Sequence, residues 1–267
     1  MRVAFTIILN GKHHLEHNDW FARVAETMDA WVIAEGATVP TGSTAWCKPV
    51  PDKYQKHGLS VDGTTQWLGK HRYDKAGVIN IGCPGANKDQ MVNACLDLLR
   101  GMFLTGEEVF LWQLDCDEQW DWDRMYEAER QLVRENATCG CFHSDYYVGE
   151  NLLAKGCWGE GNDPDDPMKN AYRRLWRWYG QEFLTHEPPA LQGGNGKEVL
   201  IPLRFRHYAY RFRKDVEFKN DYYSGHEGIL DKWDALQAMP GTEFPRPISD
   251  LITGPWGQTK TEIVWKP

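Results

Sequence analysis

One segment near the middle of the chain limits the possible folds more than any other. It runs Glu108-Val-Phe-Leu-Trp-Gln-Leu-Asp-Cys-Asp-Glu-Gln-Trp120, so β-favouring apolar residues stop at two carboxylates spaced i and i+2. Such a run is typical of a buried strand, and open α/β sheets bind their ligands at the carboxyl ends of strands. We therefore expect Asp115 and Asp117 to leave a sheet together and to face a divalent cation that carries a diphosphate.

Strand-like and helix-like segments alternate through the first half of the chain. The expected strands are Arg2–Leu9, Ala30–Ala34, Ala76–Ile81, Val109–Leu114 and Thr138–Val148. The expected helices are Glu16–Met28, Asp89–Met102 and Asp123–Glu135. This alternation predicts an α/β fold with a mixed, mainly parallel sheet flanked by helices. No Gly-x-Gly-x-x-Gly follows the first strand and no Walker lysine loop is present, so the ordinary phosphate-binding loops are absent.

The second half of the chain does not continue the regular alternation of strands and helices. A loop rich in Gly, Asp and Pro is expected over Lys155–Pro167, and a soft boundary is expected near Ala154, within what we expect to be a single continuous domain. Beyond the loop we expect helices at Lys169–Phe183, Tyr208–Tyr222 and Gly228–Ala238, a strand at Val199–Arg206 and an extended tail from Pro240.

Composition narrows the class of protein. The 267 residues carry a formal net charge of -8, which argues against a general nucleic-acid binder because phosphate backbones require a basic face. No apolar run approaches the ~20 residues that span a bilayer, and the N-terminus is too short and strand-like for a signal peptide. Seven cysteines, an odd number, fit reduced thiols in a cytoplasmic protein. Cys139-Gly-Cys141 is expected to be a strand with buried thiols.

Tryptophan is unusually frequent, with 13 residues. Those in or near the polar second half are Trp120, Trp122, Trp158, Trp176 and Trp178. Core packing is the commoner role of a single tryptophan. Their position beside acidic residues favours a second role a little, which is stacking against the apolar face of a sugar.

Four segments come in the same order as in a known family. They are Ile8-Leu9-Asn10, Val32-Ile33-Ala34-Glu35, Lys88-Asp89-Gln90-Met91-Val92-Asn93 and Leu114-Asp115-Cys116-Asp117-Glu118. Together they resemble the nucleotide-sugar-dependent glycosyltransferases of the GT-A fold. The pieces ending at Glu35 and Glu118 are most similar to the N-acetylglucosaminyltransferase-like branch, which has an Asp-x-Asp-Glu motif. The segment from His207 to Lys219 resembles that group's C-terminal histidine segment, and the resemblance covers roughly residues 1 to 236.

The resemblance implies a metal-dependent transferase with a nucleotide-sugar donor, UDP-linked, and a glycan or other hydroxyl acceptor. Residues 1–154 would bind the donor, and residues 155–267 would form the acceptor side and tail. The residues that would lie near the nucleotide or its sugar are Leu9, Asn10, Glu35, Lys88, Asn93, Asp115, Arg211 and Lys219. Asp117 and His207 would ligate Mn²⁺ or Mg²⁺, and Asp115 would face the ribose or a metal-bound water. A hard cation suits this chemistry because negative charge grows on the leaving diphosphate.

An inverting transferase also needs a carboxylate base near the acceptor hydroxyl. The candidates are Asp145, Glu150, Glu160 and Glu187. Glu187 lies in Thr185-His-Glu-Pro-Pro, ahead of a Gly-rich turn. A retaining enzyme would not need this base, and the stereochemistry stays open.

Other interpretations of these residues are possible. Asp115 and Asp117 could form a solvated strand end or cap the following helix. His207 could be a core histidine, and His226 is a rival metal ligand. Two other functions remain as hypotheses. One is a nucleotidyltransferase acting on a sugar phosphate, for which Asn10-Gly-Lys-His-His14 is a poor phosphate loop. The other is a non-catalytic carbohydrate-binding protein, which predicts an all-β pattern.

Overall fold

The computed structural model describes residues 1–71, 78–103, 108–156, 166, 168, 170–253 and 260–266. The helices are α1 Lys12–Glu16, α2 Trp20–Thr27, α3 Thr64–His71, α4 Lys88–Phe103, α5 Met125–Arg134, α6 Arg213–Tyr222 and α7 Ile229–Ala238. The strands are β1 Arg2–Ile8, β2 Ala30–Glu35, β3 Gln55–Lys56, β4 Leu59–Ser60, β5 Val78–Gly82, β6 Val109–Gln113, β7 Glu118–Gln119, β8 Cys139–Val148, β9 Leu152–Gly156, β10 Tyr172–Trp178, β11 Phe183–Thr185, β12 Ala190–Leu191, β13 Glu198–Tyr210, β14 Arg246–Pro247 and β15 Thr261–Trp265.

The chain forms two compact units built from interleaved segments. Unit 1 comprises Met1–Cys116, Trp122–Gly140 and Arg173–Val199. Unit 2 comprises Asp117–Asp121, Cys141–Tyr172 and Leu200–Pro267. The units do not follow the expected boundary near Ala154, because the chain passes between them several times. The functional division into a donor side and an acceptor side stays a prediction.

Unit 1 contains a sheet in the order β10–β6–β1–β2–β5. β1 pairs in parallel with β2 and β6, and β2 pairs in parallel with β5. Only β10 runs antiparallel, against β6. The predicted α/β class, with a mainly parallel central sheet, is therefore confirmed. The carboxyl ends of β1, β2 and β6 are followed by Leu9, Gly36 and Leu114, so they present their next residues at one edge of the sheet.

Helices cover both faces of this sheet. Trp31 of β2 contacts Trp20 and Phe21 of α2, with ring centroids 5.2 Å apart in both pairs. Thr6 accepts a hydrogen bond from the Trp31 indole at 3.0 Å, so these two side chains share a face. Phe5 points to the other face because neighbouring strand residues alternate. There it packs edge-to-face against Phe183 of β11, which lies beside α4.

Unit 2 has an antiparallel sheet and two helices. β14 pairs with β15, β15 with β9, and β9 with β8, all antiparallel. β13 pairs with β8 and, antiparallel, with β7. α6 and α7 pack against each other. A buried cluster that includes Tyr146, Tyr210, Val216 and Trp233 joins these helices to the sheet.

Most of the expected elements are present, with two corrections. The helix expected over Lys169–Phe183 is wrong, because this segment contains β10. Buried Leu175, Trp176 and Trp178 pair with β6 there, and large aromatic residues favour a pleated, packed surface. The helix expected from Tyr208 begins only at Arg213, because β13 continues to Tyr210. The described part of the tail is only partly extended, because two short strands, β14 and β15, share it with 3-10 turns at Gly241–Glu243 and Ile248–Asp250.

Burial settles the smaller expectations. Cys139 and Cys141 are buried in β8, as predicted, and neither forms a disulfide within the part of the chain that the structure describes. Trp120, Trp176 and Trp178 are at most 3% exposed, so they belong to the core and do not stack against sugars. Trp158 lies outside the described residues. Over the part of the chain that the structure describes, no helix combines enough length with enough apolar character to cross a bilayer.

Candidate functional site

In unit 2, strand pairing brings Asp117 next to His207. His207 of β13 lies opposite Glu118 of β7, and the Tyr208 amide donates to the Asp117 carbonyl at 2.7 Å. As a result, the His207 Nε2 atom lies 3.7 Å from the Asp117 Oδ2 atom. The two side chains are 11% and 20% exposed. An acid just before one strand and a histidine far along the chain thus form a half-buried pair.

Aromatic rings hold the His207 imidazole in place. Tyr146 and Tyr172 contact it edge-to-face, with centroids 4.7 and 5.5 Å away, and Phe205 lies at 5.9 Å. Its Nδ1 atom is buried without a hydrogen-bond partner among the described residues, so packing orients the ring. Burial and the neighbouring Tyr210 raise the pKa of Tyr146, so its hydroxyl stays protonated at neutral pH.

The Asp117–His207 pair fits a divalent cation. Carboxylate oxygen and imidazole nitrogen bind such ions at about 2.1 Å, and two ligands at that distance can lie up to about 4.2 Å apart. The observed 3.7 Å lies within this limit. One oxygen and one nitrogen ligand suit Mn²⁺, which tolerates imidazole better than Mg²⁺ does. The remaining coordination positions would be available to water and phosphate oxygens.

In unit 1, Asp115 follows β6 and pairs with Arg174 of β10. The guanidinium donates to Asp115 Oδ2 at 3.0 Å, and its side chain is only 6% exposed. The antiparallel pairing of β10 with β6 brings Arg174 to this edge. The Asp115 carboxylate, which is 29% exposed, is therefore charge-paired from within its own unit.

A second ion pair in unit 1 joins Lys88 to Glu187. Lys88 Nζ lies 2.7 Å from Glu187 Oε1, and the two side chains are 16% and 34% exposed. Burial alone would raise the pKa of Glu187, but the positive charge of Lys88 and the hydrogen bond that it donates outweigh burial and lower that pKa below its ordinary value. Glu187 is therefore ionised at neutral pH.

His186 lies beside this pair and is neutral. Its side chain is 7% exposed, and its Nδ1 atom has no hydrogen-bond partner among the described residues. Burial, followed by the positive charge of Lys88, lowers its pKa from 6.5 to about 4, although Glu187 and Asp115 oppose this shift. Four charged groups thus surround an uncharged imidazole.

A hydrogen-bonded node fixes the backbone of this segment. Asp89, in the first turn of α4, accepts hydrogen bonds from the His186 amide at 2.7 Å and from the Ser43 amide at 2.8 Å. The Ser43 hydroxyl in turn accepts from the Glu187 amide at 3.2 Å. The position of Glu187 is therefore set by three separate stretches of chain.

Asn10 lies just after β1 and Glu35 is the last residue of β2, and the side chains of both hold a loop. The Asn10 amide group donates to the Tyr54 carbonyl at 2.6 Å and accepts from the Val61 amide at 2.9 Å. Glu35 is 5% exposed and accepts from the Ser60 amide at 3.0 Å. These residues shape the edge where a nucleotide is expected. Leu9, next to Asn10, is partly buried. Their direct contact with a ligand stays a prediction.

Other expected donor-binding residues also have structural partners. The Asn93 amide group both donates to and accepts from the Phe183 backbone, at 3.0 and 2.8 Å. Lys219 donates to the Ala209 carbonyl at 2.6 Å. Arg211 pairs with Glu150 at 2.6 Å. A ligand would have to displace these partners, and the donor-binding roles of Asn93, Arg211 and Lys219 stay predictions.

The remaining base candidates differ in place. Asp145 pairs with Arg204 at 3.1 Å. Residues alternate along β8, so Asp145 points away from the face where Tyr146 meets His207. Glu160 lies outside the described residues. The rival ligand His226 is buried, with its Nε2 atom 3.0 Å from the Tyr210 hydroxyl.

The sequence alone did not reveal Arg174 and His186. The contact of Arg174 with Asp115 cannot be predicted from a helix over Lys169–Phe183, because it depends on the pairing of β10 with β6. His186 stood directly before Glu187 in a segment already singled out, and an isolated histidine next to a candidate base was the available signal.

No protein-family model matches this sequence. No curated protein sequence matches it either. Among solved structures, the chain is similar to residues 1–349 of S. aureus TarS, with 8% identity and a TM-score of 0.46 over 87% of this chain and 68% of that one. It is also similar to the same TarS fragment in complex with UDP-GlcNAc, with 10% identity and a TM-score of 0.44 over 87% and 70% of the two chains. At these scores, the function must be argued from the residues of this chain.

Proposed function

We propose that this protein is a metal-dependent glycosyltransferase that moves a sugar from a UDP-sugar donor to a hydroxyl group of a glycan or other acceptor. The observation that carries the proposal is the pairing of Asp117 with His207 at 3.7 Å, on strands far apart in sequence. A carboxylate after an apolar strand is common. A histidine that strand pairing places beside that carboxylate, as β13 places His207 beside Asp117, is a more specific arrangement. It is also the ligand pair that the family resemblance implies.

Asp117 and His207 would hold Mn²⁺ or Mg²⁺. Such an ion, when bound, supplies Lewis-acid stabilisation of the charge that develops on the leaving nucleoside diphosphate. The half-buried position of both side chains strengthens their electrostatic interactions relative to those in bulk water. Tyr146 keeps the imidazole oriented, so little rearrangement is needed on binding.

For an inverting reaction, we assign the general base to Glu187. Its lowered pKa keeps the carboxylate ionised and able to accept the proton of an acceptor hydroxyl. Lys88 holds the carboxylate through the 2.7 Å ion pair, and Asp89 and Ser43 fix the backbone behind it. As Glu187 takes the proton, the acceptor oxygen bonds to the anomeric carbon and the bond to the diphosphate breaks.

A matched pair of variants tests whether Glu187 or Asp145 is the general base. We expect Glu187→Gln to reduce kcat for transfer by about 10²-fold or more, because base catalysis typically contributes that much. Asp145→Asn should leave kcat within about twofold, because its carboxylate faces away from His207 and is paired with Arg204. The measurement is steady-state kinetics with the donor and acceptor that a panel of UDP-sugars and simple glycans identifies. A larger loss in Asp145→Asn than in Glu187→Gln would move the base to Asp145.

The proposed function is tested with a panel of UDP-sugars that includes UDP-GlcNAc. Release of UDP is measured with Mn²⁺ and with a chelator, first without an acceptor and then with simple glycans. We expect one donor to be consumed only when metal is present, and this activity to be lost in Asp117→Asn. Consumption of a nucleoside triphosphate with a sugar phosphate, and of no UDP-sugar, would instead identify a nucleotidyltransferase.

A further inference from the structure

The face of β8 and β13 opposite the Asp117–His207 pair carries an unusual set of side chains. We call it the basic aromatic face and define it by Tyr147, Arg204, Arg206, Tyr208, Arg211 and Lys266. Arg204, Arg206 and Lys266 are exposed and Tyr147 is partly exposed, whereas Tyr208 is buried, at 4% exposure. All of these residues belong to unit 2. None of them has a role in the proposed transfer reaction except Arg211, whose expected donor contact is untested.

Contacts across the two strands show that these side chains share one surface. Tyr147 of β8 packs against Tyr208 of β13, with ring centroids 5.1 Å apart. On the same face, Arg204 pairs with Asp145 at 3.1 Å. The next residue positions along each strand point inward, as Tyr146 and His207 do, because strand side chains alternate.

Cations extend over both tyrosine rings. The Arg211 guanidinium lies 4.6 Å from the centroid of Tyr208, and the Lys266 ammonium lies 5.8 Å from that of Tyr147. Arg206 donates to Gln119 at 3.2 Å, and the Tyr208 hydroxyl donates to the same oxygen at 2.6 Å. These contacts hold the polar groups next to the rings.

The charge of this face differs in sign from that of the chain. Arg204 and Arg211 have carboxylate partners, Asp145 and Glu150. Arg206 and Lys266 form no ion pair with any residue in the described ranges. Cations therefore exceed carboxylates on the face, although the whole protein has a formal net charge of -8. A surface that is locally positive on an acidic protein attracts an anionic partner.

We propose that the basic aromatic face binds an acidic glycan, a saccharide chain that carries negatively charged groups. The partly exposed ring of Tyr147 suits the apolar face of a pyranose, and the exposed guanidinium of Arg206 can bind anionic oxygens in a bidentate way. The carboxylates of Asp145 and Glu150 can accept hydrogen bonds from sugar hydroxyls. A nucleic-acid strand is the other polyanion with stacking groups, but its successive bases need several exposed aromatic rings. On this face the ring of Tyr147 is partly exposed and that of Tyr208 is buried.

This binding needs neither donor nor metal, so its test is independent of the proposed transferase activity. The probe is oligogalacturonate, and its methyl ester is the control because it has the same chain without the charge. Titration calorimetry at low and at raised salt gives the affinities. We expect the acid form to bind, the ester to bind at least about tenfold more weakly, and the affinity to fall with salt as surface charges are screened.

Variants locate the site. Tyr147→Ala and Arg206→Gln should each weaken binding about threefold to tenfold, as expected for one aromatic or charged contact. Tyr126 and Arg130 of α5 provide matched controls, because they form a similar exposed pair at 5.6 Å in unit 1. Tyr126→Ala and Arg130→Gln should leave the affinity unchanged. Circular dichroism confirms that each variant is folded, and a Tyr147→Phe variant that retains binding would show that the ring is the contact.

Several results would overturn the proposal. One is the absence of binding to oligogalacturonate at low salt. Another is equal affinity for the acid and the ester, which would remove the role of charge. A third is equal loss of binding in the α5 controls and in the variants of the face. Tighter binding of oligothymidylate than of the glycan would assign the face to a nucleic-acid strand.

Discussion

At the scale of single residues, His186 shows how burial and charge set the chemistry of the candidate site. A buried imidazole next to Lys88 and Arg174 cannot readily take a proton, so its pKa falls to about 4. At neutral pH the His186 side chain is therefore uncharged, although charged groups lie near it. The neighbouring Glu187, whose pKa is lowered mainly by Lys88, stays ionised at neutral pH.

The stability of the protein should depend on pH through His186. In the unfolded chain its pKa is near 6.5, so between pH 6.5 and about 4 the unfolded state binds a proton that the folded state does not. The contribution of the neutral His186 to the free energy of unfolding is therefore fully present above pH 6.5 and is lost as the pH falls toward 4. The change is about 3 kcal/mol, at about 1.4 kcal/mol per pH unit.

Urea unfolding between pH 7 and pH 4.5 measures this effect. We expect His186→Asn to flatten the dependence of the free energy of unfolding on pH, because the titrating group is gone. The exposed His57 supplies a control, and His57→Asn should retain the wild-type slope. A wild-type slope in the His186 variant would show that other groups govern the pH dependence.

At the scale of elements, the fold depends on which segments are joined by long-range pairing. Local patterns were sufficient for β1, β2, β6, β8, α4 and α5, since each has a strong apolar period of its own. They failed for β10, because Tyr172, Leu175, Trp176 and Tyr179 fall at helical spacing although pairing with β6 decides the conformation. The same limit applies to the site. Asp117 could be predicted from its strand, whereas its contact with His207 depends on the pairing of β7 with β13.

The segment that carries Glu187 depends on Gly42. This glycine has a φ of 66°, and a Cβ atom there would lie 2.2 Å from Asp89 Oδ2. We expect Gly42→Ala to lower the free energy of unfolding by about 1–3 kcal/mol, because the backbone is strained and Asp89 is displaced. It should also reduce transfer activity, since Asp89 holds the His186 backbone.

Gly69 is the matched control for this substitution. It lies within α3, and a Cβ atom there would meet nothing within 4 Å. Gly69→Ala should raise stability by about 0.5–1 kcal/mol through helix propensity and leave activity unchanged. Thermal unfolding of the two variants checks the contrast. A Gly42→Ala protein as stable as wild type would mean that the node around Asp89 does not need its present geometry.

At the scale of the whole molecule, the candidate residues fall into two separate units. Unit 1 supplies the mainly parallel sheet, the Lys88–Glu187 pair and the Asp115–Arg174 pair. Unit 2 supplies Asp117, His207 and, on the opposite face of the same strands, the basic aromatic face. The metal proposal rests on unit 2, so metal binding can be measured apart from catalysis.

The central claim is best tested by titrating the protein with Mn²⁺ and following free Mn²⁺ by electron paramagnetic resonance. We expect one site in the wild type, weakened at least about tenfold in both Asp117→Asn and His207→Gln, a loss of about 1.4 kcal/mol or more. Glu187→Gln, which alters a carboxylate of unit 1, should bind Mn²⁺ as the wild type does. Failure of the wild type to bind Mn²⁺, or wild-type affinity in the Asp117 and His207 variants, would contradict the account.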